Sequence, residues 1–169
     1  LVLGTFVIFT LFLASRLRMG LSPDSYYHLR VSEAYSTTLG VPENTPDTYQ
    51  WRDITRIPYL YFWINGRILN INNGLINPVL LLRIVNIIYS SLTVLTAYFL
   101  SKELIEGTWE RILPVFLLAN TLMFTFLSSS INYDNLANLF SVLAIFLFVK
   151  FLKSRLDFKY IFLMLISLG

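Results

Sequence analysis

The sequence has 169 residues, of which 56% are hydrophobic and 16% aromatic, and only 14% carry a charge. Soluble domains are typically about 25% charged, so this composition favours an integral membrane protein. The formal charge of +3 is modest and the basic residues form no stripe, which argues against a nucleic-acid partner. The absence of cysteine excludes, within these residues, a disulfide framework, thiolate metal ligands and a cysteine nucleophile.

Apolar segments follow one another along the chain and predict an all-α fold, a polytopic transmembrane helical bundle that forms one membrane domain over residues 1–169. The segments cover residues 1–15, 78–101, 112–130, 136–152 and 160–169. A crossing helix needs about 20 apolar residues, so the second segment is long enough, whereas we interpret the first and last as truncated. We therefore expect an N-terminal fragment of a longer membrane protein, inactive by itself.

The loops between these segments predict the orientation, because lysine and arginine concentrate on the cytoplasmic side. Four basic residues lie within Lys150–Lys159, whereas the loop with the sequence SSSINYDN has none. The first of these loops is therefore expected inside and the second outside. Alternation then places the long loop 16–77 outside as well, on the extracytoplasmic face. Its six arginines run against the rule, which gives long loops less weight.

The outer loop 16–77 is expected to contain helices that lie on the membrane surface. Asp24 can cap the start of a helix that runs to about Thr38, and Gly40 can end it. The aromatic residues in Tyr59–Trp63 are typical of an interfacial belt or of a second surface helix.

Asp24 and His28, the only histidine, are four residues apart and share one face of a helix. Asp24 has two interpretations: a simple helix cap, or a general base or metal ligand at the outer membrane face. His28 is either a packing or surface residue or a ligand. One histidine and one aspartate do not make a zinc site, which needs more nitrogen or sulfur ligands.

A second polar group is the sequence INYDNLANLF, Ile131 to Phe140. Asn132 or Asp134 can cap the following helix. Alternatively Asp134, Asn135 and Asn138 line a polar cavity at the outer surface, because asparagines are costly on a lipid-facing helix. The spacing of Asn135 and Asn138 places them on one face.

Two further charged residues belong to the same predicted side. Arg83 lies one or two turns inside the second span, where it either snorkels outward or binds an anionic lipid headgroup from a cavity. Asp47, in the sequence TPDT, is interpreted as a turn residue.

Several sequence segments, taken in order, resemble the GT-C superfamily of polytopic membrane glycosyltransferases, which use polyprenyl-phosphate-linked sugar donors. The segments are PDSYYHLRVSEAY, GVPENTPD, IPYLYFW, RIVNIIYSSLTVLTAYFLSKEL and SSSINYDNLANLFSVLAIFLFVKFLK. The first is similar to the outer loop that carries the catalytic aspartate in this superfamily, and its DSYYHLR part to oligosaccharyltransferase catalytic subunits. The last is closer to mannosyl- or arabinosyltransferase-like members.

The resemblance implies a role for each candidate residue. Asp24 would be the catalytic base that activates the acceptor, which is a glycan, a lipid or a protein. Substrate would be bound by the following residues: Tyr27, His28, Arg83, Asp134, Asn135 and Asn138. A divalent metal, Mg²⁺ or Mn²⁺, would bind Asp24 and Asp134 if one is used. The superfamily often has two adjacent acids in this loop, whereas Ser25 follows Asp24 here, which favours a lone base.

Two other classes remain open from the sequence. A transporter or flippase-like protein would place its ionisable residues near the membrane midplane, in broken helices. A non-catalytic subunit of a membrane assembly would use Asp24 and Asp134 only as helix caps. A common outward cavity beside Arg83 would favour the enzyme, and separate patches of solvent would favour the subunit.

Overall fold

The computed structural model describes residues 1–22, 24–49, 59–154 and 157–168. These residues form helices joined by turns and no β-strand, so the predicted all-α class is confirmed for the described part of the chain. The helices are α1 (Val2–Arg16), α2 (Ser25–Ser36), α3 (Pro46–Tyr49), α4 (Tyr59–Asn72), α5 (Pro78–Leu104), α6 (Thr108–Ala119), α7 (Leu122–Ser128), α8 (Asp134–Lys153) and α9 (Phe158–Leu168). The start of the predicted IPYLYFW segment and the side chain of Asp47 lie outside the described residues.

Two helices, α5 with 27 residues and α8 with 20, are long and apolar enough to cross a membrane. They correspond to the predicted spans 78–101 and 136–152. The start of α5 is well defined: Pro78 occupies its first turn, and Asn77 Oδ1 accepts hydrogen bonds from the backbone N–H groups of Val79 and Leu80. The apolar helices α1 and α9 are shorter than a full span.

The segment expected to form one span over residues 112–130 is instead bent. It forms α6 and α7, whose axes differ by 63°. At the bend, Asn120 Nδ2 donates to the Phe116 carbonyl at 2.8 Å and Thr121 Oγ1 donates to the Leu117 carbonyl at 2.9 Å. Such side-chain bonds compete with the backbone hydrogen bonds that would continue the helix, so these two polar residues mark where the straight helix ends.

Helices α5 and α8 run in the same direction. Asn86 contacts Asn135 near their starts, the rings of Phe99 and Phe146 lie 6.5 Å apart further along, and Glu103 pairs with a lysine of α8 near their ends. Because α5 finishes at the end of the bundle opposite to the start of α8, α6 and α7 together connect the two ends.

Helices α1 and α9 run against their neighbours. Ala14, late in α1, contacts Arg83, early in α5. The ring of Phe158, at the start of α9, lies 6.3 Å from that of Phe151, near the end of α8. The apolar segments therefore alternate in direction between two ends of one bundle, which we call the α5-start end and the α5-finish end.

Helix α4 packs closely on α2. At Gly66 the two backbones approach so closely that a Cβ atom there would lie 2.7 Å from the carbonyl carbon of Tyr35. Arg67 donates to the carbonyls of Tyr35 and Thr38, and Asn70 Nδ2 donates to that of Ser36 at 2.9 Å. Residues of α4 thus satisfy carbonyls at the C-terminal end of α2 that have no partner within the helix.

Candidate functional site

The start of α2 and the loop before α8 meet at the α5-start end of the bundle. Ser25 Oγ donates to the Ile131 carbonyl at 3.2 Å, and the rings of His28 and Tyr133 meet edge to face with centroids 5.1 Å apart. Leu29 and Ile131 pack with Leu82, the residue before Arg83, in one buried cluster. The fold therefore brings together the three chain segments that hold Asp24, Arg83 and Asp134.

Asp24 occupies the position just before α2, as expected for a cap, but its side chain forms no capping hydrogen bond. Its backbone adopts a left-handed conformation, with φ 56° and ψ 4°, which is uncommon outside glycine. Its carbonyl accepts the His28 N–H at 2.8 Å, and the residue is exposed. If Asp24 were a simple cap, its carboxylate would accept a backbone N–H of α2. Because no such bond is formed and the residue is exposed, the carboxylate of Asp24 can contact a ligand.

His28 lies inside an aromatic cage and is only 2% exposed. The rings of Tyr27, Tyr61, Phe62 and Tyr133 surround it at centroid distances between 5.1 and 6.3 Å. Burial lowers the pKa of His28 to about 4, although the nearby Asp24 carboxylate acts in the opposite direction. The imidazole is therefore neutral at physiological pH, which favours the packing interpretation over that of a cationic ligand for the substrate.

Arg83 is buried between α1 and α5, with 6% of its surface exposed, so it does not snorkel to the surface. Its Nη1 donates to the Ala14 carbonyl at 2.7 Å, near the C-terminal and partly negative end of α1. Its Nε and Nη2 have no hydrogen-bond partner among the described residues. These two nitrogens form one edge of the guanidinium, the edge that binds two oxygens of a carboxylate or a phosphate.

The predicted group around Asp134 divides into residues with different environments. Asn132 Oδ1 accepts the Asp134 N–H at 2.8 Å, so the Asn132 side chain satisfies the first N–H of α8, and the half-buried Asp134 is in its first turn. Asn135 is completely buried, whereas Asn138 is exposed. Asn135 and Asn138 therefore lie in different environments, since Asn135 faces the neighbouring helices and Asn138 the surface.

Asn135 belongs to a buried hydrogen-bond network that was not predicted from the sequence. Its Nδ2 donates to Asn86 Oδ1 and to the Leu127 carbonyl, both at 2.9 Å, and its Oδ1 accepts from Ser90 Oγ at 3.1 Å. Asn86 also exchanges hydrogen bonds with the Tyr61 hydroxyl. A signal for this network was present: Arg83, Asn86 and Ser90 recur at helical spacing along an otherwise apolar segment.

The cavity beside these residues is apolar rather than polar. A groove of about 470 Å³ lies between α4, α8 and α9 and passes Tyr61 and Tyr133. Leu136, Ala137 and Phe140 also line it, but neither Asn135 nor Asn138 does. The groove can therefore accept a hydrocarbon chain next to the aromatic cage.

Within the described residues, no group of three or more His, Cys, Asp or Glu side chains could hold a metal ion. Mg²⁺ is often held by only one or two carboxylates together with phosphates of the substrate. Asp24 and Asp134 fit that second arrangement only, so the predicted Mg²⁺ or Mn²⁺ remains a prediction.

Comparison of the chain with protein-family models, with curated proteins and with solved structures found no match. The function therefore has to be inferred from the geometry of the described residues.

Proposed function

We propose that this chain is part of a multi-pass membrane glycosyltransferase that transfers a sugar from a polyprenyl-phosphate-type lipid donor to an acceptor at the extracytoplasmic face. The observation that carries the proposal is the meeting of the Asp24 and Asp134 segments beside Arg83. An exposed carboxylate and a buried guanidinium whose Nε and Nη2 have no described hydrogen-bond partner are the two groups that such a transfer requires: a proton acceptor and a partner for a phosphate.

In the proposed reaction, the Asp24 carboxylate accepts the proton of an acceptor hydroxyl as its oxygen attacks the anomeric carbon of the donor sugar. The bond between that carbon and the phosphate oxygen breaks, and the lipid phosphate leaves with the bonding electrons. Arg83 binds the phosphate and stabilises its developing charge through Nε and Nη2. In this proposal Asp134 and Asn138 bind sugar hydroxyls, and Tyr27 forms one wall of the site beside His28.

The charge distribution supports the extracytoplasmic placement of this site. Glu103 pairs with Lys150 at 2.6 Å and with Lys153 at 3.6 Å at the α5-finish end, where Lys102 also lies. Positive residues concentrate on the cytoplasmic side. Of the six arginines of loop 16–77 that opposed the predicted orientation, two have structural partners: Arg67 donates to the carbonyls of Tyr35 and Thr38, and Arg30 pairs with Glu33.

The experiment uses the full-length protein in lipid nanodiscs with synthetic polyprenyl-phosphate-linked hexoses and pentoses and a mixture of glycan, lipid and peptide acceptors. We expect time-dependent release of polyprenyl phosphate that requires an acceptor and matches the amount of glycosylated product. Release of no lipid phosphate with any donor would overturn the proposal.

A transporter or flippase-like function is the second candidate, because the bent α6–α7 pair is the kind of broken helix that such proteins use. Two observations count against it. The bend residues Asn120 and Thr121 are uncharged, and the buried polar groups of Asn86, Ser90 and Asn135 hydrogen-bond one another rather than open into a path. Movement of a fluorescent lipid-linked sugar across proteoliposomes without any chemical transfer would favour the transporter.

A further inference from the structure

Asn86 forms the centre of the buried network at the α5-start end. Its Oδ1 accepts from Tyr61 Oη at 3.2 Å, from the Asn132 N–H at 3.3 Å and from Asn135 Nδ2 at 2.9 Å. Its Nδ2 donates to the Leu82 carbonyl at 2.8 Å and to Tyr61 Oη at 3.0 Å. One fully buried side chain thus connects α4, α5, the loop before α8 and α8 itself.

The bond to Asn132 differs in kind from the others. Asn132 accepts the Asp134 N–H, the first of α8, through its side chain, while its own backbone N–H donates to Asn86 Oδ1. The backbone that leads into Asp134 is therefore fixed from both sides. The preceding residue, Ile131, is held by Ser25 of α2 through its carbonyl.

We propose that Asn86 is a positioning residue for the transfer reaction: it holds the loop Ile131–Tyr133 so that Asp134 and Asp24 face one site. This inference rests on the proposed function for its catalytic part. Its structural part, that Asn86 fixes the loop, stands independently. A polar residue placed only to join helices would have no need to bind the loop backbone at Asn132.

Ser90 provides the matched control. It lies one turn further along the same face of α5, is equally buried, and donates to the same Asn135. It forms no described bond with the loop Ile131–Tyr133. Ser90→Ala therefore removes a bond from the network but leaves the loop attached, whereas Asn86→Leu keeps a side chain of similar volume and removes the attachment.

The test measures hydrogen exchange of the peptide 127–135 in the full-length protein, together with kcat and KM for transfer. For Asn86→Leu we expect faster exchange confined to this peptide and a kcat lowered by about tenfold or more, with KM within about twofold, because a small displacement of a reacting group lowers the rate far more than binding. Ser90→Ala should match the wild type in both. Equal exchange in the two variants would overturn the inference.

Exchange of single amides in the wild type supplies a second measurement that does not depend on whether Asn86→Leu folds. The Asn132 N–H, which Asn86 Oδ1 accepts, should exchange at least about tenfold more slowly than the N–H of Tyr133, for which the structure describes no acceptor. Equally fast exchange of the two amides would contradict the positioning role. Absence of transfer by the wild type would contradict the proposed function instead, while the exchange data would still decide whether Asn86 holds the loop.

Discussion

Ser25 and Ile131 are 106 residues apart in sequence, yet the Ser25 hydroxyl donates to the Ile131 carbonyl at 3.2 Å in a buried position. Ser25 immediately follows Asp24, and Ile131 precedes Asp134 by three residues. This hydrogen bond lies close to both carboxylates, so the fold itself holds the Asp24 segment next to the Asp134 segment. The consequences for Asp24, for Arg83 and for the packing of α2 can each be measured.

Replacing Asp24 with Asn in the full-length protein should abolish sugar transfer and leave membrane insertion intact. The amide is nearly the same size but cannot accept a proton, and loss of a general base typically costs about 10²- to 10⁴-fold in rate. The measurement is the rate of polyprenyl phosphate release at saturating donor.

The matched control for Asp24→Asn is Glu33→Gln on the same helix. Glu33 pairs with Arg30 at 2.8 Å on a partly exposed surface, where such a pair contributes little to stability. This variant should transfer at close to the wild-type rate. Full activity of Asp24→Asn would remove Asp24 as the base and favour a non-catalytic subunit.

The parts of the fold that depend on local sequence patterns could be predicted from the sequence. The parts of the site that depend on residues far apart in the chain could not. The spans 78–101 and 136–152 follow from local apolar runs and correspond to α5 and α8, whereas Asp24, a predicted cap of α2, forms no capping bond through its side chain. The sequence predicts a cavity position for Asn135 because the buried partner of Asn135, Asn86, lies 49 residues away. No local pattern identifies such an interhelical hydrogen bond. For the same reason the sequence left Arg83 between snorkelling and binding an anionic lipid headgroup.

Arg83→Lys should raise KM for the lipid donor by about 10- to 100-fold, the range expected when hydrogen bonds to a charged group are lost. Lysine keeps the positive charge but lacks the rigid edge formed by Nε and Nη2, the nitrogens left without a described partner. The measurement is KM for the donor in nanodiscs.

Arg16→Lys serves as the comparison for Arg83→Lys. Arg16 lies in the last turn of α1, near the same end of the bundle, but is exposed. Its replacement should leave KM for the donor unchanged. An equal rise in KM for both variants would indicate a general effect of arginine content rather than a phosphate site at Arg83.

Gly66→Ala should destabilise the packing of α4 on α2. The new Cβ would lie 2.7 Å from the Tyr35 carbonyl carbon, 2.8 Å from its Cβ and 2.9 Å from the Ser36 nitrogen. Backbone atoms cannot move aside as a side chain can, so we expect a loss of about 1–3 kcal/mol in unfolding free energy, measured by thermal unfolding in detergent.

Gly4→Ala isolates the steric effect at Gly66, because both glycines lie inside helices. A Cβ at Gly4 would have no atom within 4 Å, so alanine there should stabilise by about 0.5–1 kcal/mol through helix propensity alone. A similar gain for Gly66→Ala would mean that α2 and α4 are further apart than described.

His28 should make stability fall as the pH is lowered below neutrality. Burial lowers its pKa from 6.5 to about 4, so between these values the unfolded chain binds a proton that the folded chain does not. The stabilisation is complete above pH 6.5 and is lost as the pH falls towards 4, by about 2 kcal/mol at pH 5. His28→Phe keeps an aromatic ring in the cage and removes this titration, so the unfolding temperature of the wild type should fall relative to that of the variant as the pH drops from 7.5 to 5. Parallel curves for the two proteins would show that the pKa of His28 is the same in the folded and the unfolded chain, and would return His28 to the candidate substrate ligands.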